Sequence, residues 1–225
     1  TNDQISLRDR LTTNVMGHTD LLGKVATTTY PVLNKMMGAK PGSVVRKLIE
    51  KTSGVSSERV LPPFAKQRFT TWFNRRPKLR IGKRQGRVAL FPTCLVEYQA
   101  PDVGHDLVKV YERNGIECTL ADTTQCCGAP FLHSGDIDSF TKIAEKNVKA
   151  LANTVRKGLD IVVPQPTCGY VLKKDYLDYV GGPDAELVAA HTYDASEYLM
   201  KIHKGDGTSL NTDFLGDVPE SITYH

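Results

Sequence analysis

The sequence predicts an α/β fold, a parallel sheet with flanking helices, preceded by a mostly helical basic region. Two observations predict this fold. From residue 88 onward, short apolar segments alternate with segments of helical periodicity, which is the pattern of parallel strands joined by right-handed helical crossovers. The charge also divides the chain, because residues 1–87 carry 18 Lys and Arg against 5 Asp and Glu, whereas residues 88–225 carry 11 against 20. We therefore expect a connecting region over 1–87 and an α/β domain over 88–220.

Helix signals recur along the basic region. They predict a helix starting at Ser6, a helix over 29–38 with a proline near its start, a helix over 44–51 closed by Gly54, and an aromatic cluster of Phe69, Trp72 and Phe73. Strong apolar periodicity is scarce in this region, so we expect no independent core there.

The second part of the chain begins with a compact apolar segment at 88–91. Strands are predicted at 88–91, 116–120, 160–164 and 186–190, and helices at 103–113, 136–156, 170–179 and 194–203. Each of the first three strands is followed by a loop that contains cysteine. This order of elements gives a parallel sheet with helices between its strands.

Composition excludes several classes of protein. The 225 residues carry a net charge of +4, with 40% hydrophobic and 24% charged residues, which is typical of a globular chain. Charges or prolines interrupt every apolar run before it reaches the roughly 18 residues that a membrane span needs. The first residues lack the pattern of a retained signal peptide.

A dense basic run covers 75–87, with seven Lys or Arg residues and no acid. Such a run can bind nucleic acid, lipid headgroups or an acidic partner. Aromatic side chains are not interleaved with these charges, as they are in a surface that stacks bases. We therefore favour a solvated linker, and no nucleic-acid partner is expected.

The cysteines predict a metal site in place of a disulfide framework. They are five in number, and Cys126 and Cys127 are adjacent, an arrangement that forms a disulfide only with backbone strain. Cys94 follows the first predicted strand, the adjacent pair follows the second, and Cys168 follows the third. Because ligands of parallel α/β sheets bind at the carboxyl ends of the strands, we expect these four thiols to converge.

Four thiolates suit either tetrahedral zinc or an iron–sulfur cluster. Gly128 and Gly169 would let the backbone approach such a group closely and donate hydrogen bonds to its sulfur atoms. Cys118 lies inside a predicted strand, where it is expected to be an ordinary buried side chain. His105, His133 and His191 are likewise expected to play no part in the site.

Three segments together resemble the cysteine-rich CCG domain: Phe91-Pro92-Thr93-Cys94, Cys126-Cys127-Gly128 and Pro166-Thr167-Cys168-Gly169. That domain occurs in a subunit of heterodisulfide reductase, in iron–sulfur subunits of glycolate and lactate oxidases, and in a subunit of anaerobic glycerol-3-phosphate dehydrogenase. The resemblance covers about residues 60–225, and the third segment is most similar to the glycerol-3-phosphate dehydrogenase type.

The resemblance implies an iron–sulfur electron-transfer subunit, not catalytic alone, in a complex that oxidises a small hydroxy compound such as glycerol 3-phosphate, lactate or glycolate. It implies a [4Fe–4S] cluster held by Cys94, Cys126, Cys127 and Cys168 within a shell shaped by Gly128 and Gly169. The expected partners are a flavoprotein dehydrogenase subunit that carries FAD, and a membrane anchor or a quinone. The expected location is the cytoplasm, including the inner face of the cytoplasmic membrane.

The sequence also departs from relatives of this type. No C-x₂-C-x₂-C-x₃-C-P run is present, and residues 221–225 look like the start of a second, truncated CCG repeat, so the chain is expected to be a middle fragment. Val171 stands where heterodisulfide reductase has a further cysteine. Disulfide reduction of that kind and a structural zinc site remain the alternatives to electron transfer.

Overall fold

A computed structural model describes residues 19–77, 83–122 and 126–203, together with the single residues 210, 211, 213, 216 and 221. The helix predicted to start at Ser6 lies outside the described residues. The segment 221–225, predicted to begin a second repeat, also lies outside them apart from Ser221.

Short helices precede the sheet, as the sequence predicts. They are α1 (Thr19–Thr28), α2 (Tyr30–Met37), α3 (Val44–Ser53) and α4 (Phe69–Arg75). Ser43 caps α3 by accepting a hydrogen bond from the Arg46 amide, and Gly54 ends that helix with a φ of +76°. The guanidinium of Arg46 is buried and donates to carbonyl groups of the segment after α3, among them Ser56 and Ser57. These bonds hold α3 against the chain that follows it.

The sheet consists of four parallel strands in the described part of the chain. They are β1 (Gly86–Leu90), β2 (Ile116–Leu120), β3 (Asp160–Val163) and β4 (Thr192–Asp194), and their order across the sheet is β2-β1-β3-β4. Val88 pairs with Cys118 of β2 on one side and with Asp160 of β3 on the other. The predicted α/β fold with a parallel sheet is confirmed.

Helices connect and follow these strands. They are α5 (Cys94–Tyr98), α6 (Pro101–Arg113), α7 (Ala129–His133), α8 (Ile137–Arg156), α9 (Pro166–Tyr170), a π-helical turn (Val171–Asp175), α10 (Tyr176–Tyr179), α11 (Gly182–Ala190) and α12 (Ala195–His203). Asp136 caps the start of the long helix α8, because its carboxylate accepts a hydrogen bond from the Ser139 amide.

Two predicted elements differ from the structure. The strand predicted at 186–190 is wrong, because these residues belong to α11 and the fourth strand is Thr192–Asp194. Ala185 and Val188 are three positions apart and both are buried, which is the spacing of a helix face toward the core. The helix predicted at 170–179 is interrupted by the π-helical turn.

Hydrophobic cores lie on both faces of the sheet because successive residues of β1 point to opposite sides. Ala89 and Phe91 join the core beneath α8 and α11, whereas Val88 and Leu90 join the core beneath α6 and α12. Phe69 of α4 belongs to this second core. The end of the basic region is therefore packed on the α/β domain, and the domain boundary at residue 87 stays a prediction.

None of the helices described above combines the length and the apolarity that a membrane crossing requires.

Candidate metal centre

The sheet order contains a switch point at β1, where the connections part to the two sides of the sheet. From the central strand β1 the chain moves to β2 on one side, then returns past β1 to β3 on the other. The helix that follows β1 therefore packs on one face of the sheet, and the helices that follow β2 and β3 pack on the other face. Ligands of open α/β sheets bind where the connections part in this way. All three cysteine-bearing loops leave the sheet at this end.

Three of the site cysteines lie at or next to the start of a helix. Cys94 is the first residue of α5, whose cap is the buried hydroxyl of Thr93, an acceptor for the Val96 amide at 3.4 Å. Cys168 lies in the first turn of α9. Cys127 directly precedes Gly128, the residue that caps α7. The backbone N–H groups at helix starts favour negative charge, as thiolate ligands require.

The structure brings the four thiols of the three loops together. Cys127 Sγ lies 3.3 Å from Cys168 Sγ. The thiol of Cys126 is hydrogen-bonded both to that of Cys94 and to that of Cys127. The sulfur atoms therefore form one continuous row of contacts that runs Cys94, Cys126, Cys127, Cys168. All five cysteines of the chain are free of disulfides.

Burial differs along this row. Cys127 and Cys168 are 1% and 3% exposed, whereas Cys94 and Cys126 are only half-buried. The site therefore opens to solvent on the side of Cys94 and Cys126. The Cys168 thiol also donates a hydrogen bond to Gln165 Oε1 at 3.6 Å, so its proton is directed away from Cys127.

Two of the four thiols, those of Cys94 and Cys127, have raised pKa values. The hydrogen bond to Cys126, reinforced by burial, raises the pKa of Cys94 well above its usual value. Hydrogen bonds to Cys126 and Cys168 raise the pKa of Cys127 in the same way. Metals bind the thiolate form, so a metal that enters this site must displace protons.

The donor atoms fit a thiolate-bound metal group. A tetrahedral zinc with Zn–S bonds of about 2.3 Å needs its sulfur atoms about 3.8 Å apart, close to the 3.3 Å between Cys127 and Cys168. Within the described residues, however, no group of three or more His, Cys, Asp or Glu side chains is arranged so that it could hold a metal ion as it stands. The thiols touch one another, so a metal would have to separate them.

The two predicted glycines have different surroundings. Gly128 has a φ of +93°, and a Cβ placed there would lie 2.8 Å from the ring of Phe140. At Gly169 the nearest atom to a Cβ would be Val163 Cβ, at 4.0 Å. The Gly169 amide donates to the Gln165 carbonyl within the helix, so this N–H is already used. Packing and backbone conformation demand glycine at 128, but packing does not demand it at 169.

Two residues behind the adjacent cysteines are absent from the predicted site. The Tyr176 hydroxyl donates to the Cys127 carbonyl at 2.9 Å, and Asn147 Nδ2 donates to the Cys126 carbonyl at the same distance. The sequence does indicate that Asn147 is buried, because it lies three residues after Ala144 on the core-facing side of α8. A buried amide on such a face needs polar partners.

Three residues that the sequence predicts to lie outside the site have other surroundings. Cys118 belongs to the core on the opposite face of the sheet, and burial raises its pKa to about 12. The His105 ring contacts the Trp72 ring in a tilted arrangement with ring centroids 3.9 Å apart, and His191 Nδ1 lies 2.8 Å from Asp160.

The basic run is partly neutralised by the α/β domain. Arg76 lies 2.7 Å from Glu112 of α6, and Arg84 and Arg87 lie 2.8 and 3.4 Å from Glu117 of β2. Residues 78–82 lie outside the described part of the chain. These ion pairs join three residues of the run to acidic residues of α6 and β2, and the linker interpretation of the run stays a prediction.

Comparison with known proteins identifies the domain. Residues 88–173 match the CCG cysteine-rich domain. A subunit of anaerobic glycerol-3-phosphate dehydrogenase from Escherichia coli K12 is 29% identical over 220 residues, which are 97% of this chain and 53% of that protein. The chain thus spans about half the length of this curated relative. No solved structure matches significantly.

Two further relatives match shorter stretches of the chain. A subunit of the fumarate reductase (CoM/CoB) from Methanothermobacter marburgensis is 35% identical over 121 residues, 53% of this chain and 22% of that protein. Lactate utilization protein A from Bacillus pumilus is 32% identical over 149 residues, 62% of this chain and 56% of that protein. The resemblance seen in the three cysteine segments is confirmed, because the CCG cysteine-rich domain matches residues 88–173, the part of the chain that contains the four clustered thiols.

Proposed function

We propose that this chain is part of an iron–sulfur electron-transfer subunit and that Cys94, Cys126, Cys127 and Cys168 ligate a [4Fe–4S] cluster. The row of four contacting thiols, gathered from three loops, carries the proposal. A bound cluster would supply one-electron transfer, which the side chains of this chain do not provide. Gly128 would hold the loop that carries the adjacent cysteines.

The exposure of the thiols supports transfer to a partner. Cys127 and Cys168 are buried, and this shields one side of the site from water. Cys94 and Cys126 are half-buried at the open side. A redox partner that docks on this side would approach the metal group most closely, while the chain itself binds no substrate.

The relatives suggest what the partner does. One is named as a dehydrogenase subunit and another as a reductase subunit. We propose that this chain accepts electrons from an FAD-carrying dehydrogenase subunit that oxidises a small hydroxy compound such as glycerol 3-phosphate, lactate or glycolate. A quinone or a membrane anchor on the cytoplasmic face would accept the electrons. In this proposal the domain covers residues 88–220, and 221–225 begin a second repeat.

Two alternatives have specific support. Similarity to a subunit of the CoM/CoB fumarate reductase favours disulfide reduction as in heterodisulfide reductase, although Val171 replaces the further cysteine of that site. The four thiols also match a structural zinc site in number and in type of ligand.

Anaerobic purification separates these functions. We expect about four iron atoms and about four sulfides per chain, with broad visible absorption that bleaches on reduction. One zinc per chain and no visible absorption would overturn the electron-transfer proposal and establish the structural alternative. Bound iron that binds and cleaves a disulfide substrate would favour the reductase alternative.

A further inference from the structure

A buried polar pair supports the adjacent cysteines from behind. Tyr176 and Asn147 are almost completely buried, and Asn147 Nδ2 donates to the Tyr176 hydroxyl at 2.9 Å. The same amide donates to the Cys126 carbonyl, and the hydroxyl donates to the Cys127 carbonyl, both at 2.9 Å. Two consecutive carbonyl groups are therefore held by one hydrogen-bonded pair.

This pair fixes the orientation of two peptide units. In a trans peptide the C=O and the following N–H point in opposite directions, and the described chain contains no cis bond. Holding the carbonyls of Cys126 and Cys127 therefore directs the amides of Cys127 and Gly128 away from Asn147 and Tyr176. Cys127 lies between these two peptide planes, so they fix the direction of its Cα–Cβ bond, and the first plane also holds the carbonyl side of Cys126.

The π-helical turn places Tyr176 where it can do this. Cys168 and Tyr176 are eight residues apart, and in a straight α-helix that spacing turns the side chains about 80° from each other. The turn Val171–Asp175 contains one more residue than an α-helical turn. The extra residue makes Tyr176 follow Cys168 as if only seven helical positions separated them. At that spacing the two side chains lie within about 20° of the same face of the helix.

We propose that Asn147 and Tyr176 are positioning residues that set the geometry of the Cys126–Cys127 pair and thereby the metal affinity and reduction potential of the site. This inference rests on the proposed metal-binding function. Partners of this kind, one contact away from the ligands, commonly change metal affinity by about 10- to 100-fold when removed. They act through Cys126 and Cys127 and would not touch the metal themselves.

Tyr176→Phe tests the inference, with Tyr111→Phe as the matched control. Tyr111 is also fully buried and donates to a backbone carbonyl, that of Ala195, at 2.6 Å, but it lies in the core on the opposite face. Both variants lose one buried tyrosine–carbonyl hydrogen bond, and Tyr176→Phe also loses the bond that Asn147 donates to its hydroxyl. Thermal unfolding measures the loss of stability in each variant, whereas an effect on the metal site would appear only in Tyr176→Phe.

The measurements are Co²⁺ titration by absorption on the metal-free chain, thermal unfolding, and the reduction potential after iron–sulfur reconstitution. We expect Tyr176→Phe to weaken Co²⁺ binding at least tenfold and to shift the potential, and Tyr111→Phe to leave both unchanged. Equal Co²⁺ affinity in Tyr176→Phe and the unmodified chain would overturn the inference, as would equal losses in both variants.

Two further results separate the proposals. If the unmodified chain bound neither Co²⁺ nor a cluster, the proposed function itself would fail. If Tyr176→Phe did not fold, Asn147→Asp would decide, because it keeps the size of the side chain but replaces the amide donor that faces the Cys126 carbonyl. We expect at least tenfold weaker Co²⁺ binding in this variant, and unchanged affinity would overturn the inference.

Discussion

Gly128 lies against the ring of Phe140, so closely that a Cβ on Gly128 would come within 2.8 Å of Phe140 Cδ2. Phe140 is fully buried near the start of α8 and also contacts the rings of Tyr176 and Tyr179. The ring therefore has little room to move. This contact fixes the loop of the adjacent cysteines against α8.

Gly128→Ala is expected to destabilise the protein by about 2–4 kcal/mol, through the positive φ and the clash with Phe140. Gly158→Ala is the matched control, because Gly158 has a φ of +80° with no atom within 4 Å of its Cβ position. Its loss should be about 1 kcal/mol, from backbone strain alone. Chemical denaturation measures both values, and equal losses would show that Phe140 moves aside.

Cys127→Ser should abolish or alter metal binding, because Cys127 contacts both of its neighbours in the row of thiols. Cys118→Ser is the control at a buried cysteine on the other face of the sheet. Metal content after anaerobic reconstitution measures the effect. Equal loss of metal from both variants would contradict the assignment of Cys127, and not Cys118, as a metal ligand.

Metal affinity should rise steeply with pH. The raised pKa values of Cys94 and Cys127 keep these thiols protonated at neutral pH, so each must release a proton when a metal binds. Zn²⁺ affinity measured by competition at pH 6.5, 7.5 and 8.5 should increase at each step. Proton release measured in weakly buffered solution should accompany binding, and pH-independent affinity would exclude thiol ligands.

His105 should make stability depend on pH. Burial lowers its pKa below the ordinary value of about 6.5, and the ring contacts that of Trp72. The unfolded chain therefore binds a proton more readily than the folded one, and stability present above about pH 6.5 falls as the pH drops toward 5. His105→Gln should flatten the free energy of unfolding between pH 7 and 5. Identical slopes in the two proteins would contradict this assignment.

The sequence predicts the convergence of the four thiols better than the elements around them. Cys94, Cys126, Cys127 and Cys168 each follow an apolar strand, and parallel strands bring the loops at their carboxyl ends together. Segment 186–190 was misassigned because a short apolar run suits a buried strand and a buried helix equally. β4, with the sequence Thr-Tyr-Asp, has no apolar run that would reveal it.

The supporting pair depends on information that local patterns do not contain. Asn147 and Tyr176 are 29 residues apart, and their contact requires the π-helical turn in addition to the packing of α8. Periodicity reports which face of a helix is buried, but it does not report an extra residue in one turn.

The sheet order has a mechanical consequence. Cys94 begins a helix that belongs to one hydrophobic layer, whereas Cys127 and Cys168 belong to the other. A metal ion bound by all of these cysteines would cross-link the two layers at the edge of the sheet. The cross-link would lie at the switch point, where the connections part to the two faces. The loaded protein would then lose both layers in one cooperative step, whereas the empty protein is free to lose them one after the other.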